Sequence, residues 1–145
     1  MKNTSQETEQ IPVFRWTETY SVNVAALDHQ HQGLFNIINE LNAALAVGQG
    51  AAATESVLHS LLQYAATHFT TEEALMEKHH FSGLVAHRNE HQAFAQKVAN
   101  YLKDFKDAKV GTPVLLLLFL QSWLKDHILK SDKAYTRFLN EHGVR

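Results

Sequence analysis

The sequence predicts an all-α protein: an up-down-up-down four-helix bundle with an ordered N-terminal arm and a short C-terminal helix. Three observations carry this. Apolar residues recur at a period near 3.6 in four separate stretches. No stretch alternates apolar and polar residues as a half-buried strand does. Only 2 prolines and 6 glycines interrupt 145 residues, so long helices can run unbroken. One domain's worth of chain, 45% of it apolar, suffices to bury a core.

Residues 1–24 read as the arm and 25–145 as the bundle. The arm opens on polar MKNTSQETEQ, which lacks the apolar centre of a signal peptide. Its Pro12, Phe14, Trp16 and Tyr20 show no helical period and are expected to pack on the domain. The first helix, about 25–47, carries Leu27, Leu34, Ile38, Leu41 and Leu45 and stops at Gly48-Gln49-Gly50. The second, about 52–79, carries Val57, Leu61, Tyr64, Leu75 and Met76. Ser82-Gly83 is a candidate cap for the third, about 84–107, with Leu84, Phe94, Val98, Leu102 and Phe105. Thr112 and Pro113 suit the N-cap and first position of the fourth, about 113–130, with Leu116, Leu120, Trp123 and Leu124. A terminal helix near 132–141 follows. Short loops between long helices make neighbours antiparallel.

Composition narrows the function. Thirteen basic against fifteen acidic residues leave a net charge of −2, which argues against a nucleic-acid binder or a polybasic membrane anchor. The absence of cysteine excludes disulfides, thiolate metal sites, iron–sulfur clusters and a cysteine nucleophile. The apolar run 114–120 is far short of the roughly 20 residues that a membrane span needs. A cytoplasmic protein without membrane insertion is expected. Ten histidines are the anomaly.

Their positions are informative. His31 continues the apolar stripe of the first helix, His68 and Glu72 that of the second, His87 and His91 that of the third, and His127 that of the fourth. Taken singly, each could be a hydrogen-bonded core histidine. Buried unpaired, Glu72 would be costly. Axial position decides between these readings. His31 stands about 16 residues, or roughly 24 Å, before the end of its helix, and His68 lies about as far into the next. His87 and His91 follow the next reversal, and His127 lies near the far end of the fourth helix. In an antiparallel bundle all six side chains face inward at one level, as ligands of a metal site must. Asp132, five residues after His127, would point roughly 140° away on a regular helix. It can join the site if the helix ends or loosens at Ser131, and it can also cap the terminal helix. His29 and His59 project outward, His79 and His80 are placed to cap the second helix, and His142 lies in the tail.

Five imidazoles and two carboxylates are too many for one tetrahedral zinc. They suit two six-coordinate ions bridged by the carboxylates, with iron favoured over copper by those oxygens. Ferritin-like oxidases instead use four carboxylates with Glu-x-x-His pairs, a pattern this chain does not point inward. A histidine-rich pair favours holding oxygen over splitting it.

The segments Leu27-Asp28-His29-Gln30-His31, His68-Phe69-Thr70-Thr71-Glu72-Glu73, His87-x-x-x-His91 and Trp123-Leu124-x-x-His127-x-x-x-x-Asp132 resemble the hemerythrin pattern, more narrowly that of bacterial single-domain hemerythrins. The likeness runs from Trp16 to about Tyr135 and departs only at His80-Phe81-Ser82, where an aromatic–proline turn is usual. It implies a non-haem di-iron centre, oxo- or hydroxo-bridged, that binds dioxygen reversibly. By analogy His87, His91 and His127 would bind one iron, His31 and His68 the other, and Glu72 and Asp132 would bridge. Leu34, Leu124 and Ile128, with aromatic Phe69 and Trp123, are the expected lining of a small dry oxygen pocket. Ordinary core packing is an equal use for them. Gln63, Tyr64, Asp28, Glu73 and Tyr135 are near enough in sequence to hold the ligands in place. The resemblance implies an oxygen carrier, store or supplier, not an enzyme, with an oxygen-consuming protein as a candidate recipient; an isolated bundle of this size with no obvious large exposed apolar patch is expected to be monomeric. The alternatives are an oxygen or redox sensor acting through a separate partner, since nothing in the chain serves as a transducer, and a scavenger of peroxide or nitric oxide.

Overall fold

Each apolar stripe becomes the buried face of a helix. The computed structural model describes residues 14–145, so Pro12 of the arm lies outside the described residues. Helices α1 (Ala25–Ala46), α2 (Gly50–Lys78), α3 (Leu84–Lys106) and α4 (Thr112–Asp126) form the bundle, and α5 (Lys133–Glu141) closes it. Packing of α1 on α2 and α4, of α2 on α3, and of α3 on α4 makes the expected antiparallel ring. Leu27, Ile38, Leu41, Leu58, Leu61, Met76, Val98, Leu116 and Leu120 fill its centre. No strand occurs among the described residues, and none of the helices is long and apolar enough to cross a membrane.

The arm is ordered over its described part. Phe14 stacks on Phe35 at 4.1 Å, and Tyr20 meets Phe35 edge-on at 5.1 Å. The Asn39 side chain pairs with both the backbone N–H and the carbonyl of Phe14. Asp28 does not cap α1. Its carboxylate accepts from the Val22 N–H and the Ser21 hydroxyl, which ties the arm to the first turn.

Helix ends differ from expectation in detail. Gly111, at φ 81°, takes the N-cap place before α4, with Thr112 already helical and its hydroxyl donated to the Lys109 carbonyl. Gly83 precedes α3 without any side-chain cap. Four C-termini close in one way: the N–H of Gln49, Phe81, Lys109 and Val144 bonds to a carbonyl five residues back. The residue before each is left-handed: Gly48, His80, Ala108 and Gly143. This Schellman geometry satisfies carbonyls that a helix end leaves free. His80 thus ends α2 through its backbone conformation, and no side-chain capping is needed to account for the turn.

The departure that matters most lies between α4 and α5. Residues His127–Asp132 form a six-residue π segment, so the loosening expected at Ser131 begins four residues earlier. Asp132 occupies the N-cap place of α5 but has helical φ and ψ and makes no capping bond.

Candidate metal centre

Six residues from α1, α2, α3 and the start of the π segment converge with Asp132 at one end of the bundle. His31, His68, Glu72, His87, His91, His127 and Asp132 are each 4% exposed or less. Their donor atoms fall into two sets, each compact enough to hold one ion. The first set is Glu72, His87, His91, His127 and Asp132, and the second is His31, His68, Glu72 and Asp132. Glu72 and Asp132 belong to both. One Glu72 oxygen faces His87 and His91, while the other faces His31 and His68. Asp132 likewise turns Oδ1 to His87 and His127 and Oδ2 to His31.

The π segment is what admits Asp132. Hydrogen bonding from i to i+5 closes a turn over five residues, so His127 and Asp132 come into line where an α-helix would splay them. The other ligands need only regular helix: His68 with Glu72, and His87 with His91, are four residues apart on one face.

Outer hydrogen bonds fix which ring nitrogen points inward. His68 Nδ1 pairs with Gln30 Oε1 at 2.7 Å, His91 Nδ1 with Glu73 Oε2 at 3.0 Å, and His127 Nδ1 with Glu90 Oε2 at 2.6 Å. An oxygen can only accept, so these Nδ1 atoms donate and each Nε2 is left with a lone pair aimed inward. Glu73 is held in turn by Arg88, and Glu90 by the Ser131 hydroxyl. Tyr135, fully buried, donates to Glu72 Oε2 at 2.8 Å. Burial and the nearby carboxylates push its phenol well above the usual range, so it stays a donor.

Glu73 and Tyr135 therefore serve as the sequence reading expected. Asp28 belongs to the arm instead. Gln63 and Tyr64 line a groove between α1 and α2, and the Tyr64 phenol lies over the bare backbone of Gly33. Gln30 and Glu90 were missed. Each stands one position before a ligand, His31 and His91, and both bond across to a ligand on another helix. That neighbour is set by bundle packing and leaves no spacing signal.

Charge makes the case for a cation. With neutral imidazoles the cluster buries two carboxylates, and His91 Nε2 faces His127 Nε2 at 3.2 Å, lone pair to lone pair. An uncompensated arrangement of this kind is prohibitively costly. Both ring nitrogens of His31 and both oxygens of Asp132 lack a hydrogen-bond partner, although His31 Nε2 and Asp132 Oδ2 are 3.0 Å apart. Near but misaligned, these atoms point at shared space between them and not at each other. Without metal, protons fill the role. Burial works to lower the pKa of His31 and His87, but Asp132 and Glu72 outweigh it, lifting them to about 9 and about 10. His127 moves up through Asp132 in the same way. Glu72 and Asp132 move down against their burial, held by the surrounding histidines. The donor set fits hard or borderline divalent ions, iron among them.

Of the residues expected to line an oxygen pocket, Phe69 and Trp123 make ring contacts with the cluster. Leu34, Phe69, Leu124 and Ile128 are buried, and Phe69 stacks on His91 at 3.8 Å. Trp123 stacks on His127 at 4.4 Å but is half-buried and also lines an outer groove between α3 and α4. It is a side wall, not part of an enclosed interior.

Comparison with known proteins agrees with this geometry. Residues 22–139 match the model of the hemerythrin HHE cation binding domain. A bacteriohemerythrin of Stenotrophomonas maltophilia is 30% identical over 127 residues, 88% of this chain and 82% of that one. One of Methylococcus capsulatus is 31% identical over 121 residues, 83% and 92% of the respective chains. A crystal structure of wild-type hemerythrin superposes with a TM-score of 0.78 at 30% identity, over 86% of this chain and 96% of that one.

Proposed function

The chain belongs to the hemerythrin family, and on that premise we propose that it binds dioxygen reversibly at a non-haem di-iron centre, as a carrier, store or supplier. The observation that carries the reading is the pair of ligand sets sharing Glu72 and Asp132. On this reading His87, His91 and His127 would hold one iron and His31 and His68 the other, with Glu72 and Asp132 shared between them. Such an iron pair, oxo- or hydroxo-bridged, would supply reversible two-electron exchange with dioxygen.

The chain's own residues support holding over turnover. The His31 and His68 side offers four donors against five on the other, so a small ligand has room on that side. Gln30 locks the His68 ring, and the protonated Tyr135 hydroxyl donates a hydrogen bond to Glu72, so neither ligand drifts. Leu34, Phe69, Leu124 and Ile128 bring no polar group to the walls and exclude the water that would promote irreversible oxidation.

The test is purification without oxygen, an iron count, and visible spectra through cycles of air and inert gas. Two irons per chain and a charge-transfer band that appears and vanishes with oxygen are expected. Two irons with one irreversible conversion would instead favour a sensor or a scavenging enzyme. Glu72→Ala and His91→Ala should each lose iron and the oxygen-dependent band; normal iron in both would reject the ligand assignment.

A further inference from the structure

Outside the buried cluster, two histidines left unused by the proposed chemistry meet where two helix ends converge. His79 is the C-cap residue of α2 and His142 that of α5. Their rings lie 5.4 Å apart, centroid to centroid. Histidine pairs within the buried centre lie at 4.6 to 5.0 Å. Two imidazoles on one ion at a metal–nitrogen distance of about 2.0 Å put their ring centres at about that separation. Spacing alone would also fit simple ring contact.

Two further features favour a cation. His142 Nδ1 donates to the Phe138 carbonyl at 2.7 Å. That fixes the tautomer and leaves Nε2 as a free lone pair, the arrangement metal-binding histidines usually adopt. Both residues also sit at helix C-termini, whose carbonyls carry partial negative charge and favour a nearby cation. Each end is held by Schellman bonds, from Phe81 to Met76 and from Val144 to Leu139, so the rings project from fixed backbone.

We propose that His79 and His142 form a second, surface metal site that takes a borderline divalent transition ion of the zinc class, water completing its coordination. The ion would join the end of α2 to the end of α5. It would therefore clamp the helix that carries Tyr135 over Glu72, some seven residues along α2 from His79. The proposal is independent of the dioxygen reading, because it needs neither iron chemistry nor an open position at the buried centre.

Zinc titration of the iron-loaded full chain tests it, with heat of binding, iron content and thermal midpoint read together. One Zn2+ per chain is expected, with iron retained and the midpoint rising with zinc concentration by mass action. His79→Ala and His142→Ala should each weaken zinc binding by at least the roughly 10–100-fold that loss of even an outer partner costs. His142→Phe should do the same while keeping a ring in place. His59→Ala, an exposed histidine beside Glu55, should leave it unchanged. Zinc uptake matched by iron release, no uptake at all, or affinity unchanged from the parent protein in both alanine variants would each overturn the proposal.

Discussion

Glu90 shows how much one unanticipated side chain can control. It is 46% exposed, and nothing about its exposure marks it as part of a buried site. Yet a single oxygen, Oε2, accepts from His127 Nδ1 and from the Ser131 hydroxyl, both at 2.6 Å. It thereby holds the first and fifth residues of the π segment. Burial alone would raise its pKa, but those two hydrogen bonds and the histidine charges lower it, so it remains an acceptor at neutral pH. Glu90→Ala should leave the helices intact and weaken metal retention by about 10–100-fold, the usual cost of losing such a partner. Glu90→Gln keeps an accepting oxygen and should lose less. Competition against a graded series of chelators measures both. Equal retention in all three proteins would mean that packing against Trp123, not Glu90, orients His127.

At the scale of elements, the π segment invites a pair of length changes. A π turn behaves as one extra residue accommodated within an α-helix. Deleting exposed Lys130 should restore regular α-helix and bring His127 and Asp132 to a spacing of four, still on one face. Metal content should persist, and the thermal midpoint should not fall. Inserting one alanine after Leu129 should turn Asp132 and Tyr135 by roughly 100°, away from Glu72 and His31, and metal should be lost. Iron counts and circular dichroism on both variants check this; metal loss on deletion would mean that the π geometry itself sets the aim of Asp132. The same region marks the boundary of what sequence could tell. Helix bodies were legible because Leu27, Leu34, Ile38 and their counterparts repeat at helical period, and the six candidate ligands up to His127 were legible because they share those stripes. Asp132 called for a loosened helix, but the extent of the loosening depends on how α5 packs. The left-handed His80 and Ala108 were illegible for another reason: glycine is the usual mark of that conformation at a helix end, and neither position carries one.

For the whole molecule, the cluster couples metal, protons and stability. In the metal-free chain His31 and His87 titrate near 9 and 10 instead of 6.5. A raised histidine contributes stability that is fully present below the unfolded value of 6.5 and disappears as pH rises through the folded value. Glu72 and Asp132 are shifted down from 4.5 and 3.8, so their contribution is present above those values and lost in acid. Metal-free protein should therefore be most stable between about pH 4.5 and 6.5 and lose stability steadily toward pH 10. Bound metal takes the place of the protons on these rings. Anaerobic uptake of ferrous iron at pH 7 should release about two protons per chain from His31 and His87, and affinity should climb with pH until those groups are already deprotonated near pH 9 to 10. Calorimetry of iron binding in buffers of different ionisation enthalpy counts the protons directly. A count near zero at pH 7 would mean that the metal-free cluster is already neutral, and that the buried carboxylates are compensated by rearrangement of the helices and not by protonated histidines.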